Sequence, residues 1–157
     1  MKSVLKFIPC LLVCFLMISC ESEDDGTIEV STIDVEQVKA VIASGTWSVA
    51  TYEEDGMDQT SNFSGYGFSF NADGIINVSN GSTSISGAWS ILSDSSSSDD
   101  DSNDNDDIDF NIFFTSPANF AEISEDWEIV SYSSTRIELR HVSGGDGSVD
   151  RLIFEKQ

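Results

Sequence analysis

The chain has 157 residues, with 28 acidic against 7 basic residues and a formal net charge of −21 at pH 7. So negative a surface repels phosphate backbones and anionic headgroups, which excludes a nucleic-acid binder. The length suffices for one domain with a core of its own.

Lys2 and Lys6 open the chain, and an apolar run from Ile8 to Ile18, broken only by Pro9, follows them. A basic start, a short apolar run and a small residue are the plan of a secretory signal, and the run is too short to span a bilayer. Ser19 and Cys20 end it, and Glu21 turns the chain acidic at once. Leu16-Met17-Ile18-Ser19-Cys20 resembles the lipobox of bacterial lipoproteins, with Met17 where leucine is commonest. That resemblance implies cleavage before Cys20 and acylation, palmitate included, of its sulfur and amine. Each buried methylene contributes about 0.8 kcal/mol, so two or three chains make a lasting membrane anchor. Cleavage would remove two of the seven basic residues and no acid, leaving a formal charge of −23. It would also remove Cys10 and Cys14, so the domain downstream of Cys20 has no cysteine and relies on its core alone.

Glu21 to Asp25 is acidic throughout except for Ser22. It resembles the export signal that sends Bacteroidetes lipoproteins to the outer face of the outer membrane. A solvated linker is the plain alternative. The expected layout is a signal peptide over 1–19, a lipidated tether over 20–32 and a single domain over 33–157.

That domain begins with a short helix. Ser31 or Thr32 can cap it, Asp34 and Glu36 favour its first turn, and Gly45 ends it. Val35, Val38, Val41 and Ile42 form one apolar face, expected to pack on the domain as a lid or plug.

From Gly45 onward the apolar period is two. Trp47, Val49 and Thr51 alternate with small residues, and Asp55-Gly56 makes a turn. Tyr66, Phe68 and Phe70 follow, then the loop Asn71-Ala72-Asp73-Gly74, then Ile76 and Val78, then the hairpin signal Asn80-Gly81. Ile85, Gly87, Trp89 and Ile91 share a face, as do Ile108, Phe110, Ile112 and Phe114. Pro117 interrupts. Trp127 and Ile129, Ile137 and Leu139, and Leu152 and Phe154 mark the last three strands. About eight strands joined by short turns, with no helix between them, predict sequential antiparallel pairing. The expected fold is an all-β, eight-stranded up-and-down barrel with a short N-terminal helix; a two-sheet sandwich is the alternative.

Gly45-Thr46-Trp47, at the start of the first strand after a short helix, resembles the G-x-W motif of lipocalins. The resemblance implies a tryptophan packed across the closed end of the barrel and a late arginine lying over it, for which Arg140 and Arg151 are the candidates. Two features depart from that family. Tyr132 lacks the acid of a T-D-Y motif, and no helix follows the last strand. The inferred inner face carries Trp47, Phe68, Phe70, Trp89, Phe110 and Trp127, with Phe114 and Phe154. So many rings predict a well-filled interior, with at most a small apolar pocket near one mouth.

Residues 93–107 are low in complexity and read as a solvated loop. Asp101, Asn103 and Asn105 have the spacing of the first ligands of a calcium loop. Asp106 then stands where glycine is needed and Ile112 where the bidentate glutamate belongs, so they are candidates for weak calcium binding alone. His141 is the sole histidine and, at a strand end, reads as a surface residue. No nucleophile elbow, phosphate loop or zinc-ligand set is present, which predicts no enzyme and no cofactor. The sequence thus predicts a monomer, lipid-anchored in the outer membrane and exposed at the cell surface. It would bind a small apolar ligand or a partner; the alternative is a structural or adhesive accessory.

Overall fold

The computed structural model describes residues 28–29, 34–93, 108–145 and 147–157. Cys20, the signal segment, Ser31 and Thr32 lie outside the described residues, as do Asp101, Asn103 and Asn105.

The chain runs β1 (Ile28–Glu29), α1 (Val35–Ile42), β2 (Trp47–Glu54), β3 (Met57–Asp58), a 3-10 turn (Thr60–Phe63), β4 (Gly67–Phe70), β5 (Ile75–Ser79) and β6 (Ser84–Ser93). It continues with β7 (Ile108–Phe113), α2 (Ala118–Ala121), β8 (Asp126–Tyr132), β9 (Arg136–Val142) and β10 (Val149–Lys156). Eight of the strands form one antiparallel circuit, β2-β4-β5-β6-β7-β8-β9-β10, and β10 returns to pair with β2. The fold is therefore a closed up-and-down barrel, not a sandwich. β3 adds a short hairpin to β2, and β1 pairs with the last residues of β8.

Period-two patterning places one apolar set inside. Trp47, Phe68, Phe110, Trp127, Ile137, Leu139, Leu152 and Phe154 are all fully buried. Their rings pack edge to face: Phe70 meets Trp89, Phe110 and Phe154 at centroid distances of 5.6, 5.8 and 5.5 Å. Gly87 faces inward, and a Cβ there would meet the Phe114 ring at 2.5 Å, so the space the glycine leaves is occupied by that ring.

Both ends are closed by helices. Asp34, not Ser31 or Thr32, caps α1, accepting a hydrogen bond from the Glu36 N–H at 3.0 Å. Asp34 wins because its carboxylate stands one residue before the helix, where it reaches the free N–H groups of the first turn. Val38 and Ile42 are fully buried, and the Ile42 carbonyl accepts a bond from Trp47 Nε1 at 2.8 Å. At the opposite end Phe63 of the 3-10 turn and Phe120 and Ile123 around α2 are buried.

These two short helical segments correct the expectation that no helix lies between strands. Thr60–Phe63 and Ala118–Ala121 each span four residues, too few to show a helical period. The first strand is corrected too. Val49 faces Phe154 while Thr51 faces Ile153, so Ala50 is bulged and Tyr52, not Thr51, turns inward. Asn80-Gly81 sits in a four-residue connection, not a two-residue one, because Ser79 pairs with Ser84.

Candidate functional site

At the end of the barrel away from α1, β2, β9 and β10 each finish their inward-facing row on a polar residue. β2 carries Tyr52 and then Glu54. β9 carries Ile137, Leu139 and then His141. β10 starts with Asp150 before Leu152 and Phe154. The turn between α2 and β8 adds Glu122 and Glu125 to the rim, and β8 opens on Asp126. His141 stands on the buried Trp127 ring at 6.0 Å between centroids, and Trp127 is fixed by donating from Nε1 to the Ile123 carbonyl at 3.1 Å.

Carboxylates surround the imidazole on both sides. Nε2 lies 3.8 Å from Asp126 Oδ1 and 4.0 Å from Glu125 Oε2, and Nδ1 lies 3.7 Å from Asp150 Oδ2. Nδ1 is buried and makes no hydrogen bond. The other oxygen of Asp150 accepts from the Asp55 N–H at 3.0 Å. The Tyr52 hydroxyl donates to the Glu122 carbonyl at 3.1 Å, and burial, then Glu54 and Asp150, raise its pKa well above the ordinary tyrosine value. Partial burial, then Glu122, Asp150 and Asp55, raise the Glu54 carboxyl above its ordinary range, a rise partly offset by the polar Tyr52 hydroxyl nearby.

No lysine or arginine among the described residues balances this mouth. Arg136, Arg140 and Arg151 form an ion-pair ladder on the outer wall of β8, β9 and β10 with Glu128, Glu138 and Glu155. Lys39 pairs with Glu36 on α1, and Lys156 sits at the far end of the barrel. The arrangement is a set of oxygen and nitrogen donors with no lysine or arginine among the described residues set against it.

The sequence candidates fall in three places. Trp47, Phe68, Phe70, Trp89, Phe110 and Trp127 line the interior. Arg140 and Arg151 do not lie over Trp47. Arg140 bonds Glu128 at 2.6 Å and Arg151 bonds Glu138 at 2.7 Å, both outside. The period of two forces this, since each arginine neighbours an inward leucine. The cation over Trp47 is Lys156, with Nζ 5.6 Å from the ring centroid. Gly45, at φ +139°, lets it pass: a Cβ there would meet Lys156 Cε at 2.9 Å. Cys20 and the acidic tract fall outside the described residues.

His141, read from the sequence as a surface group, stands partly exposed at the mouth, with its ring on the inward side of β9. A lone histidine suggested a surface group, yet its row on β9, shared with Ile137 and Leu139, pointed inward. An open groove of about 670 Å³ also lies at the α1 end, between Lys39, Ala40 and Ala43 of the helix segment and Trp89, Ile91 and Leu92 of β6. Among the described residues no helix is long and apolar enough to cross a membrane.

No protein-family model matches the sequence, and no curated protein matches it. One solved structure is similar, that of a DUF4847 family protein from Bacteroides vulgatus. It is 18% identical, with a TM-score of 0.47, over 76% of this chain and 97% of that one.

Proposed function

We propose that this protein is a lipid-anchored envelope barrel without enzymatic activity, which meets a small apolar ligand or a partner at a mouth and not in its interior. The observation that carries this reading is the filled barrel. Six inward aromatic rings lie between fully buried and 8% exposed, and both ends are plugged. An eight-stranded barrel is just wide enough to be filled by side chains or to hold one small ligand, and here the side chains take the room. The groove beside Trp89 and Ile91 supports the apolar ligand. Its floor is apolar, and Glu36, Lys39 and Asp73 give it a charged rim. The lipobox-like stretch ending in Cys20 supports the anchor, and the acids after it support display at the outer membrane surface.

Native mass spectrometry of the protein, before and after denaturing extraction, tests the ligand. An extra mass lost on extraction, and lost also in Ala43→Trp, which fills the groove, is the expected result. A bare polypeptide mass in both samples overturns the apolar ligand and leaves the partner. Membrane fractionation tests the anchor: Cys20→Ala should leave the chain uncleaved at that point and unacylated, and unchanged acylation and processing would defeat it.

A further inference from the structure

We infer that the acidic mouth holds a first-row divalent transition-metal ion, of the chemistry of Zn²⁺, on His141 Nε2, Glu125 and Asp126. The inference is independent of the anchor and of the groove, which lies at the other end of the barrel. One atom from each of the three side chains lies within 4.8 Å of the others. An ion held about 2.1 Å from each donor needs the donors roughly 3.4 Å apart. The separations of 3.8 and 4.0 Å are already close to that, and Glu125 and Asp126 are exposed, so a small rotation of each closes the set.

Three further features point to a cation and to its class. First, Nδ1 of His141 is buried without a hydrogen-bond partner, an expensive state for a ring nitrogen. Metal on Nε2 fixes the proton on Nδ1, and that N–H faces Asp150 Oδ2 at 3.7 Å. An approach of under 1 Å would turn that contact into the carboxylate–histidine–metal relay that orients a ligating imidazole, with Asp150 itself held by the Asp55 N–H. Second, a neutral imidazole and two carboxylates carry two negative charges, matching a divalent ion, while no lysine or arginine of the described chain competes for the mouth. Third, a nitrogen donor beside only two protein carboxylates suits zinc and its neighbours. Calcium takes six to eight oxygens and magnesium an octahedral oxygen shell. Three protein ligands leave a position open to water or to a donor from a partner.

The test uses the single histidine as its own reporter. In ¹H–¹⁵N spectra of the full-length protein titrated with ZnCl₂, the His141 imidazole resonances should shift and saturate at one equivalent, with the proton on Nδ1. The double variant Glu125→Gln, Asp126→Asn should abolish the shift with its backbone spectrum otherwise preserved. Asp150→Asn should weaken it about 10- to 100-fold. CaCl₂ and MgCl₂ at the same concentration should leave the imidazole unmoved. No response to millimolar Zn²⁺, the same response in the double variant, or an equal response to calcium would each overturn the site.

Discussion

The two ends of the barrel are closed alike and finished differently. Each is sealed by a short helix and buried apolar side chains: Val38 and Ile42 at one end, Phe63, Phe120 and Ile123 at the other. Above the seal they diverge. At the α1 end Trp47 bonds the helix carbonyl and carries Lys156, and Tyr132 donates to Gln37 at 3.3 Å. At the other end the outermost layer is Glu54, Glu122, Glu125, Asp126, Asp150 and His141. β10 shows both within one strand, with Asp150 at its start, Lys156 near its end, and buried Leu152 and Phe154 between them. Closure therefore does not require the acids. Burying a carboxylate beside others destabilises a fold, as the raised Glu54 pKa registers, so this chemistry is better explained by what it can bind than by what it holds together.

The largest effects should come from breaking the seals. Phe120 touches the rings of Phe63, Tyr66, Phe68 and Phe114 at 5.3 to 5.9 Å. Phe120→Ala should destabilise by about 3–5 kcal/mol, and Ile42→Ala by about 2–5 kcal/mol, in urea unfolding. Comparable losses would show that both helices are plugs. A loss under about 1 kcal/mol at either end would show that helix to be a peripheral lid.

How far this contrast could be read beforehand differs between the ends. The eight-strand count, the inward rings and the α1 stripe were legible because a period of two or of 3.6 is written in consecutive residues. Gly45 and Trp47 marked the α1 end on a different ground, their resemblance to the G-x-W motif. The mouth was not legible, because its members come from four separate segments that only closure brings together. Two local events hid it further. The bulge at Ala50 reverses the facing of Tyr52 and Glu54, and the four-residue α2, which Glu122, Glu125 and Asp126 follow, is too short to show a period. Arg140 and Arg151 failed as partners of Trp47 on a simpler ground. Each neighbours an inward leucine, Leu139 or Leu152, so each must point outward, and parity favoured Lys156.

A smaller effect should separate the cation at one end from the acids at the other. Lys156 lies over Trp47 and donates to the Ser44 hydroxyl at 3.0 Å. Lys156→Met keeps the apolar stem and removes the charge, so the loss should be about 0.5–1 kcal/mol, the range of an accessible cation–π contact. Because the attraction is to the ring quadrupole and not to a carboxylate, added salt should change this loss little. A loss that vanished at high salt would place the value of Lys156 in long-range attraction to the acids instead.

The smallest effect has the opposite sign. Burial, then the negative charges of Glu122, Asp150 and Asp55, raise the Glu54 carboxyl in the folded protein above its unfolded value. The native state therefore binds this proton more tightly than the unfolded chain does. The stability that follows is fully present below the unfolded pKa and is lost as pH rises through the raised folded value. At neutral pH the ionised Glu54 is a net cost. Glu54→Gln keeps the size and polarity of the side chain and removes the charge, so it should stabilise the protein at pH 7. The gain should be only a few tenths of a kcal/mol, because solvent screens a side chain this exposed. It should shrink toward zero as pH falls below the carboxylate range, where the native glutamate is itself neutral. Unfolding midpoints of the two proteins across that range would show converging curves. Parallel curves would mean that Glu54 senses no crowding of charge, and that the mouth is acidic in composition only.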